Sequence, residues 1–372
     1  MKKRRGFTLV ELLVTMVLLV AFGTLLVRFL AGSLDLWRGA ERDRDLAEKA
    51  SAVFELLGRD LRAVATPRSE DPSSPAEFRC ELAAGDRDGD GFPDGIWRRL
   101  RFVRTLSPAQ EREALLASGL RDAAPASGGG IVLSPAATGE GFAEVAWASS
   151  PDPGAEDPAL VLLHRGSRPV GLGPEGSLLR EGFFDEPGAF ESSMRPVAAG
   201  ILEFSLLFPL GALAPLEADR SDGGAVDCWD SRRAGRLDER AHAGNRFPLD
   251  RDAASLEALR DDVFPGRVLA TLVLEADAGT SRLPRLASPV GPDDRTLLVD
   301  DPRALPRETP FFAKVRGEWI RVTAVSERRL SLGARGARGS IASAHPADAV
   351  LHVGETFRAE FPILAAREDF NR

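Results

Sequence analysis

The pattern of hydrophobic and polar positions begins with one long apolar stretch. Residues 7–30 are 24 positions dominated by Leu, Val, Phe, Met and Ala, and a helix of that length covers ~36 Å, enough to cross a bilayer core. Apolar residues then recur at steps of three and four among charged ones: Leu46, Ala50, Val53, Leu57, Leu61 and Val64. This spacing predicts an amphipathic helix that continues to Ala65 and is ended by Pro67.

After Pro67 the pattern changes to short β-type runs separated by loops. The runs at 96–104, 160–164, 201–208 and 268–276 predict strands. Segments rich in Pro and Gly at 121–130, 149–158 and 166–176 predict loops, and 215–252 predicts a polar connection. One long helix followed by a strand-rich body predicts an α+β fold.

Residues 283–353 differ from the rest of the body. Two strand-like runs between 311 and 325 flank an Arg316-Gly317 turn, and the segment holds 11 basic and 8 acidic residues in an otherwise acidic chain. Residues 357–364 then predict a final strand. We therefore expect an inserted small β module at 283–353, which interrupts a larger domain formed by 67–282 plus 354–372.

Charges at the start of the chain orient the first helix. Four cations at positions 2 to 5 precede it, so the positive-inside rule places that end in the cytoplasm. Glu11 lies about one turn inside the apolar run, where an acid is costly and needs a partner. Arg28 is 17 residues further along, ~25 Å away and out of reach. A cleaved signal peptide explains the stretch less well, because the run is long and has no small-x-small site at its end.

Residues 6–11, Gly-Phe-Thr-Leu-Val-Glu, resemble the cleavage and methylation signature of type IV pilins and type II secretion pseudopilins. The resemblance implies that prepilin peptidase removes a leader, residues 1–6, by cutting between Gly6 and Phe7. The new Phe7 amine is then methylated, and Glu11 pairs with the amine of a neighbouring subunit, which supplies its missing partner. Residues 7–30 become the transmembrane helix and 31–66 a periplasmic helix.

The order of segments in the body is similar to that of the minor pseudopilin J of type II secretion, and also to that of the minor pilin W of type IV pili. A long helix and a β-rich domain are followed by segments 195–204, 229–231 and 264–272. The resemblance implies a single-pass inner-membrane protein with a periplasmic domain and a role in assembly, not in catalysis. Its implied partners are other minor pseudopilins, the major pseudopilin and secreted substrates.

Composition bears on partners and on redox state. The 372 residues carry a net charge of −8, and without the four leader cations 44 basic and 56 acidic residues leave −12. Such an acidic chain offers no basic face for phosphates, so nucleic acid is not an expected partner. Cys80 and Cys228 lie outside the cytoplasm in this topology, where a disulfide between them is permitted, although their spacing does not show one.

An aspartate-rich loop is the sharpest motif beyond the first helix. Alternating oxygens suit a hard cation, and the candidate ligands are Asp86, Asp88, Asp90, the carbonyl of Phe92 and Asp94. The bidentate glutamate of an EF-hand is missing at the twelfth position. We expect a structural Ca2+ site of the short extracellular kind, and no required cofactor. The alternative is an acidic, glycine-rich turn between strands.

The remaining candidate chemistry does not favour an enzyme. The four histidines, His164, His242, His345 and His352, show no metal-ligand spacing, and the chain has no Gly-x-Ser-x-Gly, Walker or His-Glu-x-x-His motif. Arginines at 98, 99, 101 and 104 predict a charged strand face or an edge protected from pairing. The rivals to an assembly protein are a membrane-tethered, calcium-dependent adhesin or cargo receptor that uses 283–353, and a periplasmic hydrolase on a signal anchor.

The mature N-terminus tests the interpretation of residues 6–11 directly. We expect mass spectrometry of the protein purified from its membrane to find a chain that begins at Phe7 and carries one methyl group on its amine. An intact Met1, or a cut near residue 30, would contradict the pilin-like interpretation.

Overall fold

A computed structural model describes residues 9–65, 77–85, 95–107, 141–151, 157, 159–170, 176–180, 182–185, 192–209, 225–226, 229–231, 264–275 and 282–363. The chain forms two compact units, Met1–Lys49 and Ala50–Arg372. The helix α1, Leu9–Arg62, contributes residues to both.

The last part of α1 belongs to the core of the second unit. Ala50, Val53, Leu57 and Leu61 are buried there, as the amphipathic spacing predicts. The helix ends at Arg62, three residues before the predicted end, because the chain turns to pair with a strand: the Ala65 N–H donates to the Val103 carbonyl at 2.9 Å. Gly58 faces the ring of Phe361 so closely that an added Cβ would lie 2.7 Å from it.

The strands that the structure describes form one antiparallel system. In chain order they are β1 (Phe78–Gly85), β2 (Gly95–Thr105), β3 (Phe142–Pro151), β4 (Val161–Pro169), β5 (Arg195–Pro209), β6 (Ala225–Val226), β7 (Trp229–Asp230), β8 (Arg267–Glu275), β9 (Thr296–Leu298), β10 (Phe311–Val315), β11 (Glu318–Ser326), β12 (Arg329–Ala337) and β13 (His352–Pro362). Their order in the sheet is β7-β1-β2-β3-β4-β5-β8-β13-β10-β11-β12-β9, and β6 pairs with β5.

The predicted α+β fold class is confirmed. The four strands predicted between 96 and 276 correspond to β2, β4, β5 and β8, the two runs between 311 and 325 to β10 and β11, and the final strand at 357–364 to β13. Two predicted loops are wrong in part, because β3 extends to Pro151 and β4 to Pro169. The predicted loop at 121–130 lies outside the described residues, as does most of the predicted polar connection at 215–252, of which β6 and β7 are described.

Strand β3 was missing from the sequence prediction because both of its faces are covered. Ala146 and Ala148 pack with Leu178 and Phe183 on one face, while the Trp147 indole on the other face donates to a carboxylate of α1. A strand buried on both sides has no reason to alternate apolar and polar residues. Its alanines therefore carry no period-two signal.

The arginine-rich run of β2 does not protect an edge, which corrects one of the two interpretations drawn from the sequence. Strand β2 pairs with β1 on one side and with β3 on the other. Arg98 and Arg101 are buried, and Arg101 donates to Glu81 at 2.6 Å and to the Arg180 carbonyl at 2.8 Å. Arg101 therefore links the sheet to the segment that contains Arg180.

The chain between β8 and β13 has an apolar core of its own. Its twelve buried residues are Leu286, Val290, Leu297, Val299, Leu305, Ala313, Val315, Ile320, Val322, Leu330, Leu332 and Leu351. Strands β8 and β13 pair directly with each other, from Gly354 opposite Glu275 to Pro362 opposite Arg267. In the sequence β9 to β12 lie between β8 and β13, whereas in the sheet β8 and β13 are direct neighbours. A segment inserted between two paired strands has this arrangement. The proposed boundaries at 283 and 353 stay a prediction.

A buried carboxylate, Asp60, fastens the end of α1 to the sheet. Its side chain has no exposed surface. Its oxygens accept from Arg104 of β2 at 2.8 Å, from the Trp147 indole of β3 at 3.0 Å, and from Arg165 of β4 at 2.6 and 2.8 Å. One helical side chain therefore contacts three adjacent strands.

We expect Asp60→Asn to destabilise the second unit strongly. Breaking a buried ion pair by removing one partner costs about 3–5 kcal/mol, and here two guanidinium groups lose their counterion. The measurement is urea unfolding of the full chain in detergent, followed by tryptophan fluorescence. The matched control is Glu55→Gln on the same helix, whose carboxylate is 76% exposed and 3.9 Å from Arg59; it should change stability by less than about 0.5 kcal/mol. Equal unfolding midpoints for the two variants would contradict the assigned role.

Candidate functional site: the N-terminal apolar helix

The candidate site is the part of α1 that lies in the first unit. Gly6 and Phe7 fall outside the described residues. Glu11 lies in the first turn of α1, but its side chain is not among those described. The structure therefore places the predicted assembly residue on a helix and leaves its partner untested.

A continuous apolar surface covers this part of the helix. The large side chains are exposed along it, from Leu9 at 82% through Leu19 at 75% to Leu36 at 78% and Trp37 at 63%. Exposed apolar area of this extent is unfavourable in water, at roughly 25 cal/mol per Å2, and isolated soluble proteins rarely carry it. Lipid or other apolar helices have to cover it.

By length and composition this is the one helix of the described chain that could cross a membrane. Two hydroxyls in the apolar part bond back to their own helix: Thr15 donates to the Leu12 carbonyl at 2.9 Å and Thr24 to the Val20 carbonyl at 2.7 Å. Such bonds remove the cost of an unpaired hydroxyl in hydrocarbon. An exposed Arg44–Glu48 pair at 2.7 Å follows, in the polar part beyond the apolar surface.

The predicted calcium ligands are not among the described residues. Asp86, Asp88, Asp90, Phe92 and Asp94 all lie in the nine-residue connection between β1 and β2. Gly85 pairs with Gly95 across that connection, so the loop closes a hairpin. Among the side chains that the structure does describe, no group of three His, Cys, Asp or Glu could hold a metal ion. The calcium site stays a prediction.

The possible disulfide between Cys80 and Cys228 likewise stays untested. Cys80 is buried in β1 and pairs in register with Trp229 of β7. Cys228 precedes Trp229 in the chain and lies outside the described residues.

The described histidines bond to separate partners. His164 lies 3.0 Å from the Ser150 hydroxyl, His345 lies 2.7 Å from Glu318, and His352 lies 2.6 Å from Glu275. His242 is not among the described residues.

Sequence reasoning missed Asp60, although one signal was available. It follows Leu57 by three residues, so it falls on the apolar stripe of the helix. A carboxylate on a buried stripe has to find partners across the interface. Neither partner arginine could be named from sequence, because Arg104 and Arg165 lie 44 and 105 residues further along the chain.

Comparison with known proteins defines the class of this site. An apolar single span with an acid near its start is typical of pilin-like proteins. Residues 1–27 match the family described as "Prokaryotic N-terminal methylation motif". Searches of the curated proteins and of the solved structures found no significant match. The chain thus carries a type IV pilin-like signal on a membrane-anchoring helix, and that signal is typical of structural subunits that prepilin peptidase processes and that assemble with other pilin-like subunits.

Proposed function

We propose that this protein is a minor pseudopilin that joins the tip of the periplasmic pseudopilus of a type II secretion system. The observation that carries the proposal is the methylation motif at residues 1–27, which includes the first half of an exposed apolar helix that begins at Leu9. A processing signal for prepilin peptidase has a purpose only if the new N-terminus is used, and in this class of protein it is used for assembly.

Topology follows from charge. The leader holds Lys2, Lys3, Arg4 and Arg5, which favour the cytoplasmic side. The cut after Gly6 and the methylation of Phe7 then take place there, and residues beyond the span lie in the periplasm. The subunit stays in the inner membrane until it is drawn into the filament.

Assembly chemistry centres on Glu11. In hydrocarbon an isolated carboxylate is costly and takes a partner. The methylated amine of an incoming or preceding subunit is a cation of suitable size at the same depth. When the two pair, both charges are compensated, and the apolar surfaces of the helices meet without lipid between them.

In this proposal the β-rich body determines which tip partners or secreted substrates the subunit contacts. A type IV pilus minor pilin is the alternative within the same class, and neighbouring genes separate the two: a secretion ATPase and secretin accompany pseudopilins, whereas retraction genes accompany pilins. A membrane-tethered, calcium-dependent binding protein is the alternative from another class. Its supporting observation is that β9 to β12 have their own core.

We expect Glu11→Ala to abolish assembly while the subunit is still inserted and methylated. Loss of one partner of a buried charge pair costs about 3–5 kcal/mol, which is more than a hundredfold in affinity between subunits. The measurement is cross-linking of the subunit to its neighbours in the membrane, with mass spectrometry of Phe7 as the check on processing. A fully functional Glu11→Ala variant would refute the proposal.

The matched control lies one turn further along the same helix. Thr15 is polar but carries no charge, and its hydroxyl donates to the Leu12 carbonyl of its own helix; because no charge pair is lost, we expect Thr15→Ala to assemble as the native chain does. Glu11→Asp keeps the charge on a shorter side chain and should retain part of the cross-linking.

Removal of the inserted segment separates an assembly role from a binding role. Glu275 and Gly354 are directly paired, so replacing 276–353 by Asn-Gly closes β8 and β13 as a two-residue hairpin. We expect this variant to insert, to be methylated and to assemble, while export or binding of a particular substrate fails. If the variant accumulates with an intact sheet but does not assemble, the segment serves assembly instead.

A further inference from the structure

Strand β13 has a long neighbour on one side only among the strands that the structure describes. From Gly354 to Pro362 it pairs with β8. On its other side β10 pairs with 352–353, and no further described strand or bridge continues from there along β13. A row of backbone groups at 356–361 therefore has no strand beside it in the described chain. We call this row the open edge.

The register shows which backbone groups point towards the open edge. The Ile363 N–H donates to the Gly266 carbonyl of the β8 side at 3.0 Å, and the backbone groups of an antiparallel strand point to alternate sides. Odd-numbered residues of β13 therefore bond to β8. Residue 352, which is even-numbered, pairs outward with Lys314 of β10, in agreement with this alternation. The residues whose N–H and C=O groups point to the open edge are Thr356, Arg358 and Glu360.

The inserted segment offers no comparable edge among its described residues, because its strands close on themselves. Beside β9 runs the chain at 285–287, joined by the bridge of Leu286 with Val299. Arg285 of that chain bridges in turn to Val350, just before β13. At the far end of the main sheet, β7 covers part of β1. The open edge of β13 is therefore the longest one among the described strands.

The two faces of β13 differ at the open edge. Its odd-numbered residues face the end of α1, where Phe361 is buried with its ring centroid 6.1 Å from that of Phe54. Phe357 and Ala359 of the same row are partly buried, whereas the opposite row is exposed. A strand added at this edge would continue an apolar row on the face that α1 covers and a polar row on the other face.

Charge at the open edge indicates what such a strand would carry. Glu360 has a counterion in Arg267 of β8, at 3.0 Å. Arg358 is exposed and forms no ion pair with any residue that the structure describes. Residues directly opposite each other on neighbouring strands attract when their charges are opposite and repel when they are alike. The edge therefore favours a strand with an acid opposite Arg358 and an apolar residue on either side of that acid.

A second copy of this chain does not fit the open edge. Antiparallel pairing of two β13 strands needs a two-fold axis normal to the sheet, which reverses every direction along the sheet. The end of α1 lies along the sheet, from Asp60 at β2 to β4 to Phe361 at β13. The α1 ends of the two copies would point in opposite directions, although both chains have to enter the same membrane. Parallel pairing would turn one sheet over and set the polar row of one copy beside the apolar row of the other.

We propose that the open edge of β13 binds an extended segment of a neighbouring, different pilin-like subunit as an added strand, with an acid of that segment opposite Arg358. This inference rests on the assembly role proposed above. Assembly through α1 brings neighbouring subunits close to this helix, and β13 packs on the end of the same helix through Phe361. Backbone bonds supply affinity in this mode of binding, and side chains supply specificity. Pro362 has no N–H and ends the row, a position in which edge strands accept proline.

The test is hydrogen exchange of the full chain, tagged in the turn between β11 and β12 and purified in detergent either alone or cross-linked to pilin-like neighbours in its membrane. Residue-level fragmentation separates the amides of β13. We expect the outward amides of Thr356, Arg358 and Glu360 to exchange freely in the isolated chain and to be protected more than about tenfold in the complex. The amides of Phe357, Ala359 and Phe361 bond to β8 and should be protected in both samples.

Two substitutions separate the backbone from the charge. Arg358→Pro removes one outward N–H and should weaken the complex about two- to tenfold, the equivalent of one hydrogen bond. Arg358→Glu keeps the backbone and sets a like charge opposite the acid, so it should also weaken the complex; this variant decides the matter if Arg358→Pro fails to fold. The matched control is Arg321→Glu, an exposed arginine of β11, which is paired on both sides. It should assemble as the native chain does.

Failure of this inference can be told apart from failure of the assembly role. If the native chain forms no complex with a pilin-like subunit, the assembly role is refuted and this inference falls with it. If the complex forms without the alternating protection, the open edge is not the contact. If the three outward amides are already protected in the isolated chain, the chain itself covers the edge. Either result, or native-level complex formation by Arg358→Glu, would overturn the inference and leave the assembly role in place.

Discussion

Asp60 is the contact on which the docking of helix and sheet depends. A fully buried carboxylate is tolerated only if its lone pairs are filled, and here Arg104, Arg165 and Trp147 fill them from three adjacent strands. A shift of the helix end that lengthens any of these bonds leaves a buried donor unpaired, at a cost of about 1–3 kcal/mol. Apolar packing of Leu57 and Leu61 supplies favourable free energy around the contact, but apolar packing alone tolerates small shifts.

The same principle recurs in the inserted segment. Glu318 is buried and accepts from Arg335 at 2.6 and 2.7 Å, from His345 at 2.7 Å, and from two backbone N–H groups. Burial alone would raise its pKa, but these donors lower it to about 2. The segment is thus fixed internally by a contact that stays ionised.

The effect of such a contact depends on where its two partners lie. Arg335 and Glu318 are both inside one segment, so their attraction opposes unfolding of that segment. Arg338 of the same segment reaches Glu203 of β5 at 3.1 Å, so its attraction opposes movement of the segment away from the sheet. A chain with many arginines and acids can use one type of interaction for both purposes.

Whether a structural feature could be predicted depended on how far apart in the sequence its interacting residues lie. The α+β class and the amphipathic end of α1 follow from local patterns in the sequence. So do strands β2, β4, β5, β8, β10, β11 and β13. Strands β1, β3, β9 and β12 and the two-residue strands β6 and β7 were missed. In β3 the two covered faces remove the alternation, and one face is covered by Leu178 and Phe183, at least 30 residues further along the chain.

The N-terminal chemistry was determined by the sequence itself. The features that define it are close together in the sequence: a basic leader, a glycine, a phenylalanine, an acid and the apolar run that follows. Their spacing alone therefore identifies the methylation motif. The partners of Asp60, Glu318 and His352 were decided only by tertiary structure. Each carboxylate could have met any of many arginines, and it is the register of distant strands that brings one of them within hydrogen-bonding distance.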